Sequence, residues 1–80
     1  MRPIEIEAQL KQQPFVPFRM HFSDGSHYDV RHPETMLVTQ RVLVLSIYGR
    51  RNSEMPERAV MCDPMPVTRL EQMDGGKAQP

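Results

Sequence analysis

Between residues 18 and 31 the chain alternates. Phe18, Met20 and Phe22 are separated by Arg19, His21 and Ser23, and beyond Asp24-Gly25 the alternation resumes through Tyr28 and Val30. Period two is strand spacing, and Asp-Gly between two such runs is a hairpin signal. Strands are therefore expected at about 18–23 and 26–31. The faces argue the register. A two-residue turn would set Phe22 against His27 and Met20 against Asp29, mixing apolar with polar. A three-residue loop, Ser23-Asp24-Gly25, sets Phe18 against Val30 and Met20 against Tyr28, while Arg19 meets Asp29 and His21 meets His27 on the other side. That register separates an apolar face from a polar one with opposed charges. It also puts Gly25 at the left-handed position of a G1 bulge.

Upstream, residues 3–13 read as a short helix. Pro3 suits its first position. Glu5 and Glu7 lie near the positive end of the helix dipole and Lys11 near the negative end. Ile6 and Leu10 share a face that Ile4 and Ala8 widen, and Pro14 ends the helix. Phe15 and Phe18 are expected core anchors. Downstream, His32-Pro33-Glu34 interrupts the strand pattern with a bend or a single helical turn over residues 33–36. Further strands are predicted at about 36–39, 42–48, 58–62 and 67–72. Between them fall a tight turn at Thr39-Gln40-Arg41, a polar loop over 49–57 and a turn at Asp63-Pro64-Met65-Pro66. Residues 67–72 could also form a helix capped by Thr68; the strand is preferred. The run 42–48 is apolar on both faces, which marks a central strand, a barrel wall or an oligomer contact.

These elements make one domain over residues 1–73, followed by a flexible tail over 74–80. The class is α+β, mainly β: a short N-terminal helix and then a five- to six-stranded antiparallel sheet. The sheet is expected to curl into an SH3-like or Sm-like small barrel. The likeness to Sm-like barrels is one of element order and spacing, without an Sm sequence motif. A second resemblance rests on Pro14-Phe15-Val16-Pro17-Phe18, His21-Phe22-Ser23-Asp24-Gly25 and Val30-Arg31-His32-Pro33-Glu34. The pattern PF-x-PF, H-x-SDG, V-x-HPE is similar to that of a family of short uncharacterised bacterial proteins. The similarity spans residues 3–48 and, loosely, the remainder; the middle turn and the 49–57 loop depart from it. It implies a folded bacterial domain and carries over no catalytic residue.

Composition narrows the function classes. Ten acidic and ten basic residues give zero formal net charge, which argues against binding nucleic acid or membrane by bulk charge. One cysteine excludes an intrachain disulfide framework. No apolar run reaches the ~18–20 residues of a membrane span. The N-terminal stretch carries Glu5 and Glu7 and lacks a signal-peptide core. A cytoplasmic location is therefore expected.

Candidate chemistry is sparse. His21 and His27, opposed across the hairpin, are weak candidate zinc or copper ligands with Asp29 nearby; two exposed strand histidines are the preferred reading, and no metal is expected. His32 and Asp24 read as bend and turn residues. Arg41, Arg50, Arg51 and Arg58 form the one basic cluster, a candidate phosphate contact, but Glu54 and Glu57 offset it and no aromatic is interleaved for base stacking. Of the seven methionines, Met20, Met36 and Met61 fall on apolar strand positions and are expected in the core. Met55, Met65 and Met73 lie in or beside turns. Cys62 reads as an inert buried thiol. No nucleophile–base arrangement or phosphate-cradling loop is present, so no enzyme activity and no cofactor is expected. The leading expectation is a non-enzymatic interaction module that contacts itself or another protein through Val42, Val44, Tyr48, Met55 and Met65. The alternative is an Sm-like nucleic-acid-binding protein using the arginine cluster.

Overall fold

In a computed structural model of the chain, residues 1–49 and 54–73 are described. The expected tail over 74–80, together with Arg50 and Arg51, lies outside them. Helix α1 runs Pro3–Leu10. Glu5 accepts a hydrogen bond from the Arg2 backbone N–H at 3.2 Å and pairs with its guanidinium at 3.3 Å, placing an acid at the positive end of the dipole. The Lys11 N–H donates to the Glu7 carbonyl at 3.0 Å, and the chain leaves the helix there. The helix is thus shorter than the expected 3–13, because Pro14 disfavours helical angles at Gln13. Only Ile6 and Leu10 are buried in it. Ile4 and Ala8, expected on the same face, are exposed.

Strands β1, Phe18–Phe22, and β2, His27–Val30, form the hairpin. The register is that of the three-residue loop: Phe18 opposite Val30, Arg19 opposite Asp29, Met20 opposite Tyr28 and His21 opposite His27. Gly25 adopts φ +92°, a conformation costly for any residue with a Cβ. Asp24 accepts from the Ser26 N–H at 2.9 Å and hydroxyl at 2.6 Å, which holds its pKa below the usual carboxylate range.

A single 3-10 turn, Pro33–Thr35, follows. The Thr35 N–H and hydroxyl both donate to the His32 carbonyl, at 3.1 and 2.7 Å. Then come β3, Met36–Val38, and β4, Leu43–Ile47, joined by a tight turn in which the Thr39 N–H donates to the Val42 carbonyl at 3.0 Å. Strand β5, Arg58–Cys62, and β6, Val67–Gln72, complete the order; residues 67–72 are a strand, not the alternative helix.

The expected single sheet is corrected. The strands form two antiparallel three-stranded sheets, ordered β2-β1-β6 and β3-β4-β5. Neither is closed into a barrel, and among the described residues no ladder joins them. The physical break is the Pro33 turn: a proline contributes no N–H to a ladder, and the 3-10 geometry turns residues 33–35 out of the strand direction. The inner faces share one core of Ile6, Leu10, Phe18, Met20, Val30, Met36, Leu43, Leu45 and Val67. Phe15 packs edge-on against Phe18 with ring centres 6.1 Å apart, and Phe22 against Tyr28 at 5.9 Å. Among the described residues no polar side chain is buried. None of their helices is long and apolar enough to cross a membrane.

Candidate functional site

The outer faces of the two sheets differ in kind. Strand alternation turns Arg19 and His21 of β1 outward, flanked by Asp29 and His27 on β2 and by Glu71 and Arg69 on β6. These groups neutralise one another. Arg19 Nε donates to Asp29 Oδ1 at 2.6 Å and Nη2 to Oδ2 at 3.1 Å, a bidentate pair. Arg31 stands 3.6 Å from the same carboxylate. This company holds the Asp29 pKa down, chiefly through the Arg19 hydrogen bond, and raises that of Arg19. His21 Nε2 lies 2.8 Å from Glu71 Oε1, and that hydrogen bond is the main cause of the lowered Glu71 pKa. The His21 and His27 rings sit 5.9 Å apart. Asp29 is taken by arginine and His21 by glutamate, and among the described residues no three His, Cys, Asp or Glu side chains gather into a metal-binding group.

The outer face of β3-β4-β5 is apolar. Leu37 is paired with Val44, and Val44 with Met61, so three apolar side chains run in one row across three strands. Ala59 follows Met61 on the same face, opposite Ser46. Leu37 is 61% exposed and Met61 70%. Met20 and Met36 are buried as expected; Met61 corrects the expectation of a core methionine. The reason is that, among the described residues, β5 pairs only with β4 and holds no buried residue, so its positions divide into half-buried and exposed ones.

The expected contact residues are placed unevenly by this geometry. Val44 lies at the centre of the apolar row. Val42 belongs to the β3–β4 turn, where its N–H donates to the Thr39 hydroxyl at 2.9 Å. Tyr48 follows the other end of β4, roughly 20 Å from Val42 at the ~3.3 Å rise per strand residue. There it lines an open cleft of about 560 Å³ between the sheets, with His27, Tyr28, Arg31, His32 and Ser46. Met55 and Met65 are exposed, one in the loop before β5 and the other in the β5–β6 turn. Leu37 and Met61 were missed by the sequence reading. Counting back from the Gln40-Arg41 turn would have set Leu37 opposite Val44; nothing local in the sequence identifies β5 as an edge.

The basic cluster does not assemble among the described residues. Arg41 is at the hairpin tip, and Arg58 pairs with Ile47 at the far end of β4, again roughly 20 Å away at ~3.3 Å per residue. Cys62 is half-buried, and burial pushes its thiol pKa up, the opposite of what a nucleophile needs. The chain matches no family model, no curated protein and no solved structure.

Proposed function

We propose that the protein is a non-enzymatic protein-contact module that self-associates through its β3-β4-β5 sheet. The observation that carries this reading is the contrast between the two outer faces. One closes its charges on itself in named ion pairs; the other presents a single apolar row in which Leu37 and Met61 are exposed and Val44 between them is half-buried. Exposed apolar side chains scattered singly need no explanation, whereas a contiguous row does. Fully burying such a side chain is worth about 1.5–3 kcal/mol. Leu37 and Met61 from two copies therefore supply roughly 4–8 kcal/mol when covered, against the ~4–15 kcal/mol that association costs. The face is thus a contact surface that also needs hydrogen bonds from the strands beside it.

The test is light scattering coupled to size exclusion on wild type and on Met61→Glu. Wild type is expected at a multiple of the 9.3 kDa chain mass and the variant at that mass, with the same far-UV circular dichroism. A wild type that stays monomeric at high concentration overturns self-association, and an associated variant overturns the choice of face.

A further inference from the structure

The open edge of β5 can be read atom by atom. Thr39 and Val42 form the narrow hydrogen-bonded pair that closes the β3–β4 turn. Hydrogen-bonded and non-hydrogen-bonded pairs alternate along an antiparallel ladder. Leu37 and Val44 are therefore a hydrogen-bonded pair, and Val44 turns its N–H and carbonyl toward β3. Leu43, Leu45 and Ile47 turn theirs toward β5; in agreement, the Ile47 carbonyl accepts from the Glu57 N–H at 2.8 Å. Arg58, Val60 and Cys62 accordingly face β4 with their backbone groups. Ala59 and Met61 direct theirs outward, where among the described residues β5 has no neighbour in its sheet.

Edges are normally guarded by charge, proline, a bulge or brevity. Strand β3 is three residues long. Strand β6 carries Arg69 and Glu71 and an irregularity in its pairing with β1. Strand β2 carries His27 and Asp29 and runs into Pro33. Strand β5 has five residues, regular pairing and one charge, at its first position.

We infer that β5 pairs antiparallel with β5 of a second copy about a two-fold axis through Val60, joining the two β3-β4-β5 sheets into one of six strands. This deepens the self-association reading and rests on it. The occupant is a second copy because the strand complements itself in this register. The outward groups of Ala59 meet those of Met61 in the other copy, twice, giving four backbone hydrogen bonds. Arg58 falls opposite Cys62, so no like charges oppose within the strand. The apolar row Leu37, Val44, Met61 continues into Ala59 of the second copy, and the reciprocal row lies beside it. Edge pairing lengthens the apolar row without covering its outer face, so these strand-to-strand bonds, with the lateral packing of Met61 beside Ala59, are what hold the two copies together. Just beyond the paired residues, Glu57 and Asp63 of opposite copies face each other, an exposed repulsion that salt screens.

Val60 meets its own symmetry mate in a non-hydrogen-bonded pair. Its Cα–Cα separation of about 4.5 Å is within the ~4.4–6.8 Å range of a disulfide. The experiment places Val60→Cys, and separately Ala59→Cys, in a Cys62→Ser background, oxidises each mildly with glutathione disulfide, and reads non-reducing mass. Val60→Cys is expected to form a covalent dimer in high yield and Ala59→Cys to remain largely uncrosslinked. A second variant, Met61→Pro, removes an outward N–H without touching the β4 ladder, and is expected to give a folded monomer. An associating wild type whose Val60→Cys form does not crosslink, or crosslinks no better than Ala59→Cys, overturns the β5 pairing and leaves self-association standing. A monomeric wild type overturns both.

Discussion

At Gly25 and at Asp29 single residues set terms that the rest of the first hairpin obeys. Gly25 sits at φ +92° with open space where a Cβ would stand. Gly25→Ala therefore meets no clash, and its whole cost is the left-handed backbone, about 1–2 kcal/mol. Urea unfolding should show a lower midpoint by that amount, with Gly25→Asn losing less; an Ala variant as stable as wild type would contradict the assignment. Asp29 carries a pH signature. Its folded pKa lies below its unfolded one, because the Arg19 guanidinium bonds the charged carboxylate. The resulting stability is fully present above the ordinary carboxylate range and is lost as pH falls through the lowered value. Asp24 and Glu71 are shifted the same way. Stability should thus decline on the acid side, starting near pH 4, and Arg19→Gln should make that decline shallower. An identical acid limb in the variant would mean the pair contributes no linkage. Both residues were legible in the sequence, because Asp24-Gly25 and the alternation around it admit one register that keeps the faces apart.

At the scale of the element, α1 shows how little contact holds a short helix. Eight residues are too few to be stable alone in water, so docking decides. Ile6 is fully buried and Leu10 nearly so, and both enter the common core on the side of β3. Ile6→Ala should cost about 2–5 kcal/mol, whereas Ile4→Ala, at an exposed position, should stay within ~0.5 kcal/mol. Chemical denaturation of the two variants checks this, and equal losses would mean the helix docks by a broader face. Sequence periodicity allowed that broader face, since Ile4, Ile6, Ala8 and Leu10 all fit it. It could not choose among them, because the width of the seat is set by strands that lie far along the chain. The same limit explains Met61. In β1, alternation reports burial because β1 is the central strand of its sheet. In β5 the run Ala-Val-Met-Cys is apolar without a break, and among the described residues a neighbouring strand stands on one side only, so no polar–apolar contrast marks which set faces the core. Strand existence was legible from local pattern; strand neighbours, and hence which alternating set faces the core, were not.

For the whole molecule, zero net charge and two unlike sheets make the proposed association one that salt should not weaken. The β1-β2-β6 face is satisfied internally, so long-range attraction between copies has no source there. In the proposed dimer the β3-β4-β5 side would contribute apolar area and strand hydrogen bonds, which are little screened, and Glu57 and Asp63 of opposite copies would face each other in a repulsion that added salt reduces. The dimer dissociation constant, measured by sedimentation from low to high sodium chloride, should therefore stay level or fall. Nucleic-acid binding through Arg41, Arg50, Arg51 and Arg58 would behave oppositely. Each phosphate neutralised releases counterions, and affinity drops steeply with salt. The chain has two tyrosines and no tryptophan, so its own absorbance is weak and bound nucleic acid would dominate at 260 nm. A complex that dissolves as salt rises, together with excess 260 nm absorbance, would transfer the function to the arginines. An association that holds or tightens, with no such excess, would keep it on the β5 edge and the apolar row beside it.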